Sequence, residues 1–420
     1  MKLEIEKCIY GGAGLARAEG KAIFVPLTLP GEIVEAHIVE DKKSFAKAEL
    51  DAVLEPSKER AAPPCEYFGQ CGGCQYQHAT YAHQADLKLN ILRETLERAR
   101  LALLPEIVPV YAEPLAYRNR VRLHIQQNPF ALCYKKRASH ANLPVSRCPI
   151  ASPLIQRAID VASRIGGGLF QGLNEIEFFT NENDLLMSLW TQRHISNPSP
   201  VLERICREMQ QALSELAGTA IFSARDERSP EKKLVEWEAQ ALTYRVSEYA
   251  YRVSIGSFFQ VNRFLINRLV QLVTTDFSGS LAWDLYAGVG LFAQVLSQRF
   301  EKVIAVEAAP SSSSDLRQNL PGKLHKAVRS GTLEFLRQQH SVVPDLVIAD
   351  PPRSGLGNGV VSLLTKVRPQ TIVYVSCDPA TLARDLRALV ESGYHLRTIH
   401  MVDLFPQTSH LESVTVLSLA

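Results

Sequence analysis

Over residues 1 to about 55, apolar and polar positions alternate in short runs, Ala22 to Val25 and Glu32 to Val39 among them, punctuated by Gly11, Gly12, Gly14 and Gly20. Alternation sends successive side chains to opposite faces, so this region predicts short strands of a small β-domain, either a barrel or another compact form. The period changes after Pro63-Pro64. From Tyr81 to Ala99, Leu87, Ile91 and Leu96 recur at helical spacing, which predicts an amphipathic helix. Residues 101 to 250 mix strands and helices with no pattern that names a fold, and are read as a central mixed α+β domain. From Leu281 onward short buried strands alternate with helices: Leu281 to Leu285, Val303 to Val306, Leu346 to Ala349 and Thr371 to Val375, each ending in a polar loop. That βαβ rhythm predicts an α/β, Rossmann-like doubly wound sheet whose ligands bind at the carboxyl ends of the strands. The organisation read from the chain is 1–55 small barrel, 56–100 cysteine cluster and linking helix, 101–250 central domain, and 251–420 C-terminal α/β domain.

Bulk properties narrow the function classes. A length of 420 residues allows two or three domains, each with its own core. With 46% apolar and 21% charged residues the composition fits a globular protein rather than a disordered one. No apolar run approaches the roughly 20 residues that span a bilayer. The start Met-Lys-Leu-Glu-Ile-Glu-Lys lacks the apolar core of a secretory signal, so the expected compartment is the cytoplasm. Net charge is only +2, so any nucleic-acid surface must be a local concentration of basic residues. Eight cysteines without an export signal read as metal ligands, catalytic thiols or packing residues rather than a disulfide framework.

The loop Asp284-Leu-Tyr-Ala-Gly288-Val-Gly290 follows a predicted strand and opens a helix, where glycines allow a tight turn and close backbone approach to a ligand. Glu307 ends the next strand, the position from which a carboxylate accepts hydrogen bonds from ribose hydroxyls. Gln294 stands where the dinucleotide fingerprint has its third glycine, which argues against a pyrophosphate. A nucleoside without phosphates, such as S-adenosylmethionine, fits better than a merely structural turn. Asp350-Pro-Pro-Arg353 ends the strand Leu346 to Ala349; alone it is similar to the loops of amino-methylating enzymes. Cys377 decides against that. It sits at the end of the next strand, just before a helix predicted over Thr381 to Val390, whose N-terminal dipole is expected to favour thiolate. Glu412, just ahead of a final apolar strand, would on spacing alone be an ordinary surface carboxylate.

Taken together, Ser257-Phe-Phe-Gln260-Val-Asn262, the glycine loop, Asp350-Pro-Pro-Arg, Val375-Ser-Cys377-Asp-Pro and His410-Leu-Glu412-Ser-Val resemble the bacterial RNA uracil-5 methyltransferase family in order and spacing. The N-terminus resembles the TRAM-type RNA-binding barrel of the ribosomal RNA members. The resemblance implies S-adenosylmethionine lined by Gln260, Tyr286, Gly288, Glu307 and Asp350, with Cys377 as nucleophile and Glu412 as base. The chemistry explains these residue types. Carbon 5 of uracil attacks a methyl group only after a thiolate has added to carbon 6, and a base must then remove the carbon 5 proton. The target base must also leave its stack. Two features depart from the family: a serine run, Ser311 to Ser314, opens the helix after Glu307, and Ser330-Gly-Thr replaces an adenine-contacting acid, so the adenine contacts are unassigned.

Cys65, Cys71, Cys74 and the distant Cys148 supply four thiolates that suit an iron-sulfur cluster or structural zinc. The resemblance implies a 4Fe-4S cluster, as in the ribosomal RNA members, with a structural or RNA-binding role; Cys8, Cys133 and Cys206 read as packing residues. Between Leu115 and Arg147, Arg118, Arg120, Arg122, Lys135, Lys136, Arg137 and Arg147 occur without a single Asp or Glu, interleaved with Tyr117, Phe130 and Tyr134. Basic and aromatic side chains together suit the phosphates and unstacked bases of RNA. The expected protein is a monomer that meets 23S ribosomal RNA before or during ribosome assembly and no membrane. The alternatives are a transfer RNA uridine-5 methyltransferase, a nitrogen-directed methyltransferase, or a non-catalytic iron-sulfur RNA-binding protein.

Overall fold

A computed structural model describes residues 1–101, 103–223, 232–339 and 342–419. The first 55 residues form a six-stranded sheet with the strand order Lys2–Glu4, Ile33–Asp41, Phe45–Glu55, Lys21–Pro26, Ala13–Ala18, Lys7–Cys8. Its two edge strands follow each other in the chain with only Ile5 and Glu6 between them, so the sheet curls shut. The backbone bonds Ile5 N to Glu32 O (2.9 Å) and Glu6 N to Leu15 O (2.8 Å) bridge the seam, leaving few open edge groups. Alternate residues (Leu3, Ala16, Ile23, Val25, Val34, Ala36, Ala46, Ala48) fill the small interior. The expected barrel is therefore present.

The C-terminal sheet has eight strands, ordered Lys326–Arg329, Phe300–Glu307, Gly279–Leu285, Leu346–Ala349, Thr371–Ser376, Glu412–Leu419, Tyr394–Val402, Ile107–Val110. The first five run parallel, and Glu412–Leu419 is antiparallel to both of its neighbours. Both faces are covered, which is why Leu346 to Ala349 is wholly apolar and wholly buried. One face packs on the helix Ile266–Thr274 and the hairpin Ala241–Val246/Tyr249–Ser254. The other packs on the helices Tyr81–Arg98, Gly357–Val367 and Pro379–Glu391.

The C-terminal domain boundaries consequently differ from those read in the sequence. The strand Ile107–Val110 pairs in parallel with Tyr394–Val402. The hairpin at 241–254, which a boundary at 251 would cut, belongs to the C-terminal core through Leu242, Tyr244, Val246, Tyr251 and Val253. The helix Tyr81–Arg98 is a layer of that domain rather than a linker, with Ala85, Leu92 and Leu96 against Trp283 and Leu285. What remains of the central region is a seven-stranded sheet, from Asn142–Pro144 to Lys232–Glu238, covered on one face by the helices Pro153–Ile165 and Pro198–Ala212. Among the described residues no helix is long and apolar enough to cross a membrane.

Candidate active site

The carboxyl ends of the parallel strands open on a cavity of about 580 Å³, within the size range of small-molecule sites. Gln260, Tyr286, Gly288, Glu307, Asp350, Cys377 and Glu412 all line it, so the seven residues expected to hold cofactor and perform chemistry meet at one place. They arrive from several strand ends and loops, Tyr286 and Gly288 from the same one. Tyr286 (φ 62°) and Gly288 (φ 57°) turn the chain sharply after Gly279–Leu285. A side chain at Gly288 would meet no atom within 4 Å, so its smallness leaves open space in the cavity wall. The Gly288 N–H donates to Glu307 Oε2 (2.9 Å), and the Ala309 N–H donates to Glu307 Oε1 (2.6 Å), so two amides fix that carboxylate at the end of its strand. Buried Asp284 accepts from the Ala293 N–H (2.9 Å) and ties strand end to helix start; burial holds its carboxyl well above the usual range.

The chemical end of the cavity is acidic. Burial, with Asp350 nearby, pushes Glu412 well above the usual carboxylate range, and burial pushes Asp350 up to about 7. Cys377 is pushed up to about 11 by burial first, then by Glu412 and Asp350, against the lowering effect of Arg353. This corrects the expectation that the following helix would favour thiolate. Asp378 caps that helix, its Oδ1 accepting from the N–H groups of Ala380 (3.0 Å) and Thr381 (2.8 Å). The helix dipole is answered by this carboxylate instead of the thiol.

Sequence reasoning did not place several other residues in this cavity: Phe258, Ser312, Arg353, Phe405, His410 and Arg118, the last read as part of an RNA surface. Phe258 is 61% exposed, unusual for a phenylalanine, and offers a ring on the cavity rim. An Arg353 amino group lies 3.3 Å from the imidazole nitrogens of His410, and burial with Arg353 and Arg118 lowers His410 to about 4, keeping it neutral. The Asp-Pro-Pro-Arg and His-Leu-Glu motifs were the available signals for these two. The serine run does open the helix Pro310–Asn319, and Ser312 reaches the cavity from its first turn.

Cys65, Cys71, Cys74 and Cys148 line a separate cavity of about 80 Å³, with Arg118 on the wall of both cavities. Burial raises the thiols of Cys65, Cys71 and Cys74, the last to about 12, and Cys148 adds to each shift. Among the described residues no three His, Cys, Asp or Glu side chains stand as a single-ion metal site. Cys8, Cys133 and Cys206 are buried packing residues, as expected.

The basic stretch is less available than its sequence suggests. Arg120 lies 4.1 Å over the Phe179 ring and pairs with Glu177 at 3.8 Å. Arg122 lies 3.8 Å over Trp190 and pairs with Glu175. The acids come from the neighbouring strand Glu175–Thr180, antiparallel to Arg120–Gln127. Lys136 and Arg147 are exposed.

A model of the tRNA (uracil-5-)-methyltransferase family matches residues 80–419, and a TRAM-domain model matches residues 2–50. The chain belongs to the tRNA (uracil-5-)-methyltransferase family. It is 33% identical to an uncharacterized RNA methyltransferase of Aquifex aeolicus over 99% of this chain and 98% of that protein. It is 31% identical to the 23S rRNA (uracil(1939)-C(5))-methyltransferase RlmD of Pectobacterium atrosepticum over 96% of this chain and 90% of that one. The fold is that of the tRNA (uracil-54, C5)-methyltransferase of Pyrococcus abyssi, solved with S-adenosyl-L-homocysteine: TM-score 0.75, 23% identity, covering 99% of this chain and 100% of that one. The family's reaction is S-adenosylmethionine-dependent methylation of uracil carbon 5 in RNA, and the TRAM domain supplies an RNA-binding module.

Proposed function

We propose that the protein methylates carbon 5 of a uridine in 23S ribosomal RNA, acting as a monomer in the cytoplasm, with Cys377 as nucleophile and Glu412 as base. The observation that carries this reading is the single cavity lined by both residues together with Gln260, Tyr286, Gly288, Glu307 and Asp350. The ribosomal substrate is favoured by the 31% likeness to RlmD along nearly the whole chain. S-adenosylmethionine supplies an electrophilic methyl group on a sulfonium. Gly288 and the amide-fixed Glu307 suit the nucleoside end of such a ligand, and Asp350 the region of its charge. The Cys377 thiolate, its proton released to solvent, adds to carbon 6 of the extruded uracil, forming a C–S bond and placing the electron pair on carbon 5 and the carbonyl. After the electron pair on carbon 5 has taken the methyl group, with its bond to sulfur broken and S-adenosylhomocysteine left behind, the Glu412 carboxylate takes the carbon 5 proton. The electrons left behind expel the Cys377 thiolate. A carboxyl held above its usual range is a stronger base than a solvated one, which suits this step.

Cys377→Ala should abolish turnover and any covalent adduct. Glu412→Gln should still allow addition and methyl transfer but stall at proton removal, giving a slowly migrating protein–RNA band on a denaturing gel that depends on S-adenosylmethionine. A Cys377→Ala chain that still turns over would refute the covalent mechanism and favour a nitrogen-directed one. Mapping 5-methyluridine in total RNA with and without the gene tests the substrate: loss from 23S RNA supports it, and loss from transfer RNA alone overturns it. We also assign Cys65, Cys71, Cys74 and Cys148 to a 4Fe-4S cluster. Their convergence on one small cavity suits a four-thiolate centre; burial favours their protonated forms, so the positive charge of such a centre would have to hold them as thiolates. Anaerobic purification should yield a brown protein with about four irons per chain; stoichiometric zinc without iron would refute this.

A further inference from the structure

The N-terminal barrel reaches the Cys377 peptide directly and the segment leading to Glu412 at Ser409. Its first hairpin turns at Ile9–Ala13, closed by the Ile9 N–H donating to Ala13 O (2.9 Å) and the Gly12 N–H donating to Ile9 O (3.0 Å). At the tip, the Tyr10 hydroxyl donates to the main-chain carbonyl of Cys377 at 3.2 Å. The Tyr10 ring packs against the core of the methyltransferase sheet. Two residues on, Gly12 has φ +91°, and a Cβ there would lie 2.7 Å from Gln75 Cβ and 3.3 Å from Ser409 Cβ. Only glycine lets the turn sit against the segment that leads into Glu412.

That docking is fixed by more than the turn. Cys8 and Leu29 of the barrel share a small core with Tyr76, Ala79 and Leu87. Lys7 pairs with Glu94 on the helix Tyr81–Arg98 at 2.6 Å. An RNA-binding module that served only as a tether would need no hydrogen bond to a nucleophile's own peptide.

We propose that the barrel is part of the catalytic centre, with Tyr10 as a positioning residue that orients the Cys377 peptide and Gly12 as the contact that seats the Ser409–Glu412 segment. This rests on Cys377 being the nucleophile. The strand ends at Ser376 and the helix is capped at Asp378, so Cys377 is the one residue between two anchored elements, and a hydrogen bond to its carbonyl helps fix the backbone from which Sγ projects. The Tyr10 hydroxyl keeps its proton, raised to about 12 by burial and then by Asp378, and so remains a donor throughout the working pH range.

The test uses full-length chains and 23S RNA transcribed with 5-fluorouridine in place of uridine. Fluorine cannot leave carbon 5 as a cation, so each methylated adduct stays joined to Cys377 and can be counted. At saturating RNA, Tyr10→Phe and Gly12→Ala should form the adduct roughly tenfold more slowly than wild type, since small displacements of a nucleophile cost rate rather than binding. Their RNA affinity should be unchanged. Tyr10→Phe keeps the packed ring, and an unchanged thermal midpoint excludes general unfolding. Full adduct rate at saturation with weakened RNA affinity would overturn the proposal and leave the barrel a tether. Failure of the underlying reading looks different: no adduct with wild type, or an adduct with Cys377→Ala.

Discussion

The Cys377 thiol can serve as a gauge of the charge inside the cavity. It stands at about 11 against an ordinary 9.0, raised by burial first, then Glu412, then Asp350. At pH 8 a thiol at 9.0 is about 9% thiolate and one at 11 about 0.1%, a difference of roughly ninety-fold. Where this thiol titrates, Asp350, at about 7, is already ionised, and its negative charge opposes a second one on sulfur. Glu412→Gln removes the larger carboxylate contribution and leaves burial in place, so the thiol should fall from its raised value and react faster at pH 8, by less than the gain in thiolate fraction because a less basic thiolate is a weaker nucleophile. Asp350→Asn, removing the smaller contribution, should accelerate it less. The assay is alkylation by iodoacetamide from about pH 7 to 11, following the Cys377 peptide by mass spectrometry, with buried Cys133 and Cys206 as internal references. Superimposable profiles for wild type and both variants would show that the carboxyls do not face the thiol, and the acid–thiol account of the site would fail.

Other expectations follow from buried charge. Asp350 is raised from 3.8 to about 7 by burial, so the folded protein keeps a proton that the unfolded chain has already lost, and this group's contribution to stability falls as pH rises through that window. Asp350→Asn should therefore raise the melting temperature at pH 8, on the order of 5 °C, and gain less near pH 5, while narrowing the preference for cationic S-adenosylmethionine over S-adenosylhomocysteine; an equal gain at both pH values would refute the linkage. Lys88→Met breaks a pair in which Lys88 Nζ meets Asp403 Oδ1 at 2.6 Å with both side chains buried. It should cost about 3–5 kcal/mol in urea unfolding, partly recovered in the Lys88→Met/Asp403→Leu chain; a cost below about 1 kcal/mol would show the pair is not desolvated. Lys136→Glu and Arg147→Glu should each flatten the salt dependence of RNA binding by about one unit of slope, and an unchanged slope would remove that face from the RNA interface. Arg120→Glu should instead lower stability, since it sets a carboxylate against Glu177 and Phe179.

How much of this was legible depends on how local the cause is. Leu346 to Ala349 was readable to the residue because a strand buried on both faces must be apolar throughout. The helix at Tyr81–Arg98 was readable from its spacing, but its role as a layer of the C-terminal domain was not, since amphipathicity says that a face is buried and not against what. The strand Ile107–Val110 is four residues long with exposed positions, too short to carry a period. The seven cavity residues were legible through the resemblance of whole motifs; Glu412 alone would have passed for a surface carboxylate, and it is 5% exposed. The basic stretch misled because its neutralising acids, Glu175 and Glu177, lie some fifty residues away and arrive only through strand pairing. The helix dipole misled because Asp378, adjacent to Cys377, takes the capping role.

The segment that carries the proposed base explains why residues from the whole chain are involved. Residues 403–411 join two strands without a ladder of their own, yet Asp403, Leu404, Gln407 and Thr408 are buried, so their polar groups need partners from elsewhere. Lys88 donates to Asp403 and to Phe405 O (2.9 Å), Asn262 to Leu404 O (3.0 Å), and Tyr117 to Pro406 O (3.1 Å). The N–H groups of Gln75 and Tyr76, just past Cys74, both donate to Gln407 O at 3.0 Å, and the Ser409 N–H donates to Gln75 Oε1 at 2.9 Å. The direction in which Glu412 enters the cavity is thus set by a helix, two loops and the cysteine segment together. A change at any of them should move Glu412, so loss of the cysteine site should be felt at this proposed base even though no electron is needed there.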